Sequence, residues 1–320
     1  MSEEPVQPQK GTVPFLWPTT PTNAARRCPV VPAAKIGTVP QPPAAETALP
    51  DRSAGRVERS FDGLFLIGLS TLLGSYIALI AAILTALGAF TSPAYVLAAV
   101  QSEDVRFALR LSLLSCTFTT FLALWVAIPA GYVLSRCNFP GRNLVDAMLD
   151  IPIVLPPLVI GLGLLVLFQT PLGRAVERII PVTFAVPSII LAQFTVACAF
   201  AVRTMRVTFD QISPRTEQVA MTLGCSRCQA FWRITLPEAR RGVLTAATLA
   251  WARALGEFGP ILVFSGATRL RTEVLPTTVF LELSTGNIEV AAAVSLMMVV
   301  TALMVLILAR LFGLRGTGLL

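Results

Sequence analysis

The sequence predicts an all-α polytopic membrane protein with six transmembrane helices and a helical cytoplasmic loop, and three observations predict it. Of 320 residues, 54% are hydrophobic and only 13% are charged, about half the charged share of a soluble domain. Mean hydropathy is +0.72. The apolar residues are gathered into stretches far longer than a soluble core helix needs, so hydrocarbon is their natural solvent.

Residues 1–60 form a block of their own, with eleven of the 24 prolines, no apolar periodicity and a near-duplicated Gly-Thr-Val-Pro at 11–14 and 37–40. This composition predicts a disordered tail. A cleaved signal is not expected, because the first long apolar run begins only after Phe61. From residue 61 to 320 the chain is predicted to form one membrane domain. Five runs in it carry no charge, at residues 64–90, 111–134, 151–168, 184–202 and 290–309. Each is near or above the ~18 to 20 residues that cross ~30 Å of hydrocarbon as helix. A sixth, 243–264, is long enough but contains Arg253 and Glu257. Pro152, Pro156 and Pro157 predict a distorted start to the third span. Such distortions border many translocation paths.

Six crossings put both termini on one side, and the arginines decide which. Fourteen fall on the face carrying the termini and the 203–242 connection, and six on the other. The excess places both termini in the cytoplasm. The net charge of +7 therefore sets orientation, and no nucleic-acid partner is expected. With no histidine in the chain, Ser-His-Asp catalysis, histidine zinc sites and histidine proton relays are excluded. Its two lysines, Lys10 and Lys35, lie outside any phosphate-binding loop motif. No catalytic residue, metal or cofactor is expected, and the six scattered cysteines read as reduced thiols, the C-x-x-C of Cys225 and Cys228 as coincidence.

The 203–242 connection is too long to lack structure, and its residues punctuate two short helices. Ser213-Pro214 suits an N-cap and first turn, Val219 and Leu223 share a face, and Gly224 can end the helix. Ser226 with Gln229 makes a capping box, Phe231 and Ile234 give an apolar edge, and Leu236-Pro237 is predicted to close the element. Inside the sixth run, Arg253 and Glu257 stand four apart on one face, which predicts an intramembrane ion pair, with a pathway role for Arg253 as the sharper alternative.

The segment E-Q-V-A-M-T-L-G-C-S-R-C-Q-A-F-W-R-I-T-L-P, residues 217–237, resembles the coupling loop of bacterial ABC importer permeases. Gly224, Ile234, Leu236 and Pro237 fall at the spacing of that family's E-A-A-x(3)-G-x(9)-I-x-L-P pattern. The leading triplet is instead Gln218-Val219-Ala220, with Glu217 one position earlier, which leaves open the residue that makes the acidic ATPase contact. The resemblance implies that Glu217, Ala220, Gly224, Ile234, Leu236 and Pro237 couple the chain to a cytoplasmic ATPase dimer. It also implies a periplasmic or lipid-anchored solute-binding protein, a second copy of the permease, and a bacterial or archaeal plasma membrane. Arg253-Ala254-Leu255-Gly256-Glu257-Phe258-Gly259 is similar to the R-A-L-G-E-F-G signature of molybdate, tungstate and sulfate permeases. Ala-Gly-Tyr-Val-Leu-Ser-Arg at 130–136 and Leu-Pro-Thr-Thr-Val-Phe at 275–280 extend the likeness. It implies import of a tetrahedral oxyanion, molybdate or tungstate ahead of sulfate or thiosulfate.

Two rivals fit less well. An ion-coupled secondary carrier calls for internal repeats and several ionisable residues at membrane depth, whereas one span is charged. A membrane-embedded enzyme calls for a nucleophile-base set or metal cluster in the spans.

Overall fold

Uninterrupted uncharged sequence becomes uninterrupted helix at four places. In the structure, a computed structural model that describes residues 54–315, these are α1 (Ala54–Phe90), α3 (Glu103–Arg136), α7 (Val186–Gln211) and α14 (Ile288–Arg315). All four are long and apolar enough to cross a membrane. Among the described residues the regular structure is all helical, without a strand. The rest of the path is α2 (Pro93–Gln101), α4 (Arg142–Val154), α5 (Pro157–Gln169), α6 (Pro171–Glu177), α8 (Pro214–Thr222), α9 (Arg227–Ala230), α10 (Leu236–Glu238), α11 (Arg240–Leu255), α12 (Gly259–Phe264) and α13 (Leu275–Ser284). The chain divides into units 1–66 and 67–320, and the packing below belongs to the second. The predicted tail lies outside the described residues up to residue 53, while residues 54–60, assigned to it from composition, are already helical.

Two predicted spans are interrupted, the first of them at the distorted start that its prolines predict. Residues 151–168 form no single helix: α4 and α5 meet at 110°. Leu155 and Pro156 are extended there, with ψ of 141° and 133°. Each precedes a proline, whose ring disfavours helical geometry at the residue before it, and two successive residues without N–H groups end the ladder. Residues 243–264 likewise split, α11 ending at Leu255 and α12 restarting at Gly259. Pro260 falls in the first turn of α12, where a missing N–H costs nothing.

The core is the packing of α3, α7 and α11. Each contributes alanines at i and i+4, Ala123 with Ala127, Ala197 with Ala201 and Ala246 with Ala250, all fully buried. Residues four apart share a helix face, and small side chains there let helices approach closely, the usual solution where lipid supplies no hydrophobic drive. Helix α4 has no buried residue. It is held to α7 by ion pairs, Arg203 to Asp150 at 2.9 Å and Arg206 to Asp146.

Candidate functional site

The predicted coupling residues all lie between α8 and α10, and one of them, Glu217, bonds to the last turns of α3. Ser213 caps α8, its hydroxyl accepting from the Arg215 N–H at 3.4 Å. The helix ends in a paired turn: Gly224 N–H donates to the Met221 carbonyl at 3.0 Å and Cys225 N–H to the Ala220 carbonyl at 3.1 Å. This is the Schellman arrangement, and it places Gly224 at φ 94°. The Ser226–Gln229 capping box then starts α9, with reciprocal bonds of 2.9 and 3.2 Å. Leu236-Pro237 does not close the element as the sequence predicts. The path passes through a π turn, Phe231–Thr235, into α10 and on to α11. The wider turn, in which Leu236 N–H reaches the Phe231 carbonyl, sets Pro237 in a first-turn position.

The loop has two faces. Glu217 and Ala220 are buried, whereas Val219, Leu223 and Trp232 are 57%, 81% and 62% exposed. Ile234 and Leu236 are half-buried, and Gly224 and Pro237 exposed. The Glu217 carboxylate points inward: Oε1 accepts from Arg136 Nε at 3.0 Å and Oε2 from the Tyr132 hydroxyl at 2.9 Å. Arg136 Nη2 also donates to the Ile212 carbonyl, at 2.8 Å, just past the end of α7.

The second candidate centre is the break between α11 and α12. Glu257 is 1% exposed, and Arg253 Nη2 lies 2.6 Å from its Oε1. The contact is short but off hydrogen-bond geometry, so its attraction is chiefly that of opposite charges. The Arg253 guanidinium also lies over the Phe200 ring, 5.7 Å from its centre. Gln193, 1% exposed on α7, donates its amide to the Ala254 carbonyl at 3.2 Å and accepts from the Thr119 hydroxyl at 3.1 Å. It thereby supplies a donor beside the point where the α11 ladder stops. Helices α5 and α12, the far halves of the two broken segments, cross backbone to backbone: a Cβ on Gly161 would lie 2.7 Å from Pro260 Cα, and one on Gly259 would lie 3.2 Å from Leu158 N.

At the other end of α3, Arg269 pairs with Asp104 at 3.1 Å and Glu282 at 2.6 Å. Glu273 beside them is fully buried, neither oxygen having a hydrogen-bond partner among the described residues. Burial pushes its carboxyl above the usual carboxylate range, opposed more weakly by Thr278 and Arg269; the Thr278 hydroxyl already donates to the Val274 carbonyl. With the folded pKa raised, the stability tied to this group is complete below the unfolded pKa of ~4.3 and is lost as pH rises through the folded value. Glu273→Gln is therefore expected to raise the melting temperature in detergent at pH 8, by roughly 2 to 5 °C, and to change it little at pH 4. An equal effect at both pH values would contradict a buried charge.

Sequence reading assigned no site role to Tyr132, Arg136, Gln193 or Glu273. Tyr132 and Arg136 stood only inside the 130–136 segment that extends the likeness, and Gln193 carried a local signal, a large amide inside an uncharged run.

This arrangement, a helical bundle with a capped two-helix turn at one end and broken helices through its middle, is the fold of ABC importer membrane subunits. A bacterial importer of the acidic polysaccharide alginate superposes with a TM-score of 0.63 at 20% identity, covering 83% of this chain and 100% of that one. The MetNI methionine ABC transporter, in an inward-facing form, gives 0.53 at 18% identity, covering 68% and 100%. Residues 120–315 match the family described as the binding-protein-dependent transport system inner membrane component, and the chain belongs to that family. A probable molybdenum ABC transporter permease protein of Haloferax volcanii is 34% identical over 251 residues, 78% of this chain and 90% of that one. The sulfate transport system permease protein CysT of Escherichia coli is 30% identical over 226 residues, 68% and 82% of the two.

Proposed function

We propose that the chain is the membrane subunit of an ATP-driven importer of a tetrahedral oxyanion, molybdate or tungstate in the first instance. The observation that carries the coupling half of this reading is the two-faced loop. Val219, Leu223 and Trp232 present apolar area outward from a turn rigidified by a Schellman motif and a capping box, a surface suited to a groove in a cytoplasmic ATPase. Ala220 backs that surface, Gly224 sets its bend, and Ile234, Leu236 and Pro237 shape its second arm. The substrate half rests on the relatives named for molybdenum and sulfate transport, together with the 253–259 segment. Sulfate is the second reading, favoured by CysT.

Six crossings follow if each broken pair, α4 with α5 and α11 with α12, makes one bent passage. The arginine excess then puts both termini and the loop in the cytoplasm. Helix α1, exposed from Ile67 to Phe90 except at the half-buried Leu84 and Leu87, meets lipid and a second copy of the chain. Discontinuous helices border the path, as irregular backbone at membrane depth belongs beside a cavity or inside protein. A weakly binding, polar pathway releases its ion readily, so selection rests with a solute-binding protein delivering to the outer face. ATP hydrolysis resides in the partner ATPase.

Thiol labelling of intact cells tests the orientation. Cys137, Cys225 and Cys228 are free and at least partly accessible, and are expected to react with a membrane-permeant reagent while resisting an impermeant one added outside. Labelling of Cys225 from outside would overturn the topology.

A further inference from the structure

We propose that Glu217 is a positioning residue that fuses the loop to α3, and that it makes no contact with the ATPase. The inference rests on the importer reading above. Its basis is a knot of four segments around two side chains of the last turns of α3. Arg136 and Tyr132, four residues apart and so on one face, hold the Glu217 carboxylate from both sides at 3.0 and 2.9 Å. Arg136 also holds the Ile212 carbonyl at 2.8 Å. The Tyr132 ring packs edge-on against Phe209 of α7 at 5.7 Å and against Phe231 at 4.7 Å, where the loop's second arm begins its π turn. One face of α3 thus grips the end of α7, the first loop helix and the second arm together.

The side chains of this knot are removed from water, with Glu217 7% and Arg136 12% exposed, so their attraction is little screened. The outward face of α8 and its cap offers no acid: the exposed residues from Pro214 to Leu223 are Pro214, Arg215, Thr216, Gln218, Val219, Thr222 and Leu223. The acidic group that the resemblance implies for coupling points inward and is spent on the bundle. Mechanically, a loop held only by its two covalent ends absorbs a push in its own bending. A loop clamped to α3 and α7 passes the push into the helices of the core. Glu217 thereby sets how much transport each ATP hydrolysed delivers, whereas the apolar outward face sets whether the ATPase binds.

The test uses the full-length permease with its ATPase in proteoliposomes, measuring ATPase association, binding-protein-stimulated ATP hydrolysis and anion uptake per ATP for wild type, Glu217→Gln, Arg136→Gln, the double variant and Leu223→Asp. Positioning predicts that Glu217→Gln and Arg136→Gln keep ATPase association within about twofold, yet each lowers uptake per ATP about tenfold, and that the double variant is no worse than either single. Leu223→Asp should instead lose association. A purely structural role would lower the amount of folded protein without changing uptake per ATP in the fraction that remains, so that ratio separates the two. Loss of association in Glu217→Gln with association retained in Arg136→Gln would assign Glu217 to the ATPase contact and overturn the proposal. Absence of ATPase binding by the wild type would overturn the importer reading itself, and the proposal with it.

Discussion

Gly224→Val is expected to leave a chain that inserts and folds but holds its ATPase at least tenfold more weakly. The reason is confined to the backbone. Gly224 sits at φ 94°, and a Cβ built there meets nothing within 4 Å. Crowding therefore contributes nothing, and the whole cost is that of forcing an L residue into a region it avoids, on the order of 1 to 2 kcal/mol and more for a β-branched side chain. The loop can escape this strain only by giving up the two Schellman bonds to Met221 and Ala220, which swings α9 away from α8. Because ~1.4 kcal/mol is a factor of ten in binding, the distortion is large enough to remove the docking surface. Gly224→Asn should be milder and Gly224→Ala intermediate, since Asn tolerates left-handed geometry best. Co-purification of the ATPase with each variant, at equal membrane levels, checks the series. Full association and transport in the valine variant would mean that the bend does not shape the coupling surface.

The second large effect is at Arg253 and Glu257, and the structure makes it asymmetric. Arg253→Gln leaves a carboxylate that is 1% exposed without its counter-ion, whereas Glu257→Gln leaves an arginine whose side chain is 29% exposed and still lies over Phe200. Stranding a buried charge costs ~3 to 5 kcal/mol, so Arg253→Gln should abolish accumulation of folded protein. Glu257→Gln should reduce it only partly. The Arg253→Gln/Glu257→Gln double variant should recover most of the level, as no unpaired charge remains. Quantifying folded protein by fluorescence-detected size exclusion reads all three. If the double variant accumulates normally yet transports nothing, Arg253 serves the pathway as well as the pair.

What the sequence made legible was local. Uncharged runs announced α1, α3, α7 and α14 because a spanning helix needs nothing but length and apolarity. The Ser213 and Ser226 caps and the Gly224 turn could be read because capping chemistry involves residues within a few positions of one another. The break at Gly256 escaped, since the average over 243–264 remains apolar across a three-residue interruption. The inward turn of Glu217 also escaped, because its partners Arg136 and Tyr132 lie 81 and 85 positions upstream. A resemblance motif marks Glu217 as important without saying which way it points. Gln193 is a similar case: its Thr119 and Ala254 partners sit on two other helices, 74 and 61 positions away, so its amide reads as an oddity until the bundle is assembled.

In the proposed importer, the chain, with an ATPase below it and a binding protein above it, moves a tetrahedral oxyanion inward. The most direct measurement is ATP hydrolysis by the reconstituted permease–ATPase complex as binding protein loaded with different solutes is added to the outer face. Molybdate-loaded protein is expected to stimulate hydrolysis more than sulfate-loaded protein does, with radiolabelled molybdate accumulating on the ATPase side. Stimulation and uptake driven instead by a sugar, an amino acid or a metal cation, with molybdate and sulfate inert, would contradict the oxyanion assignment.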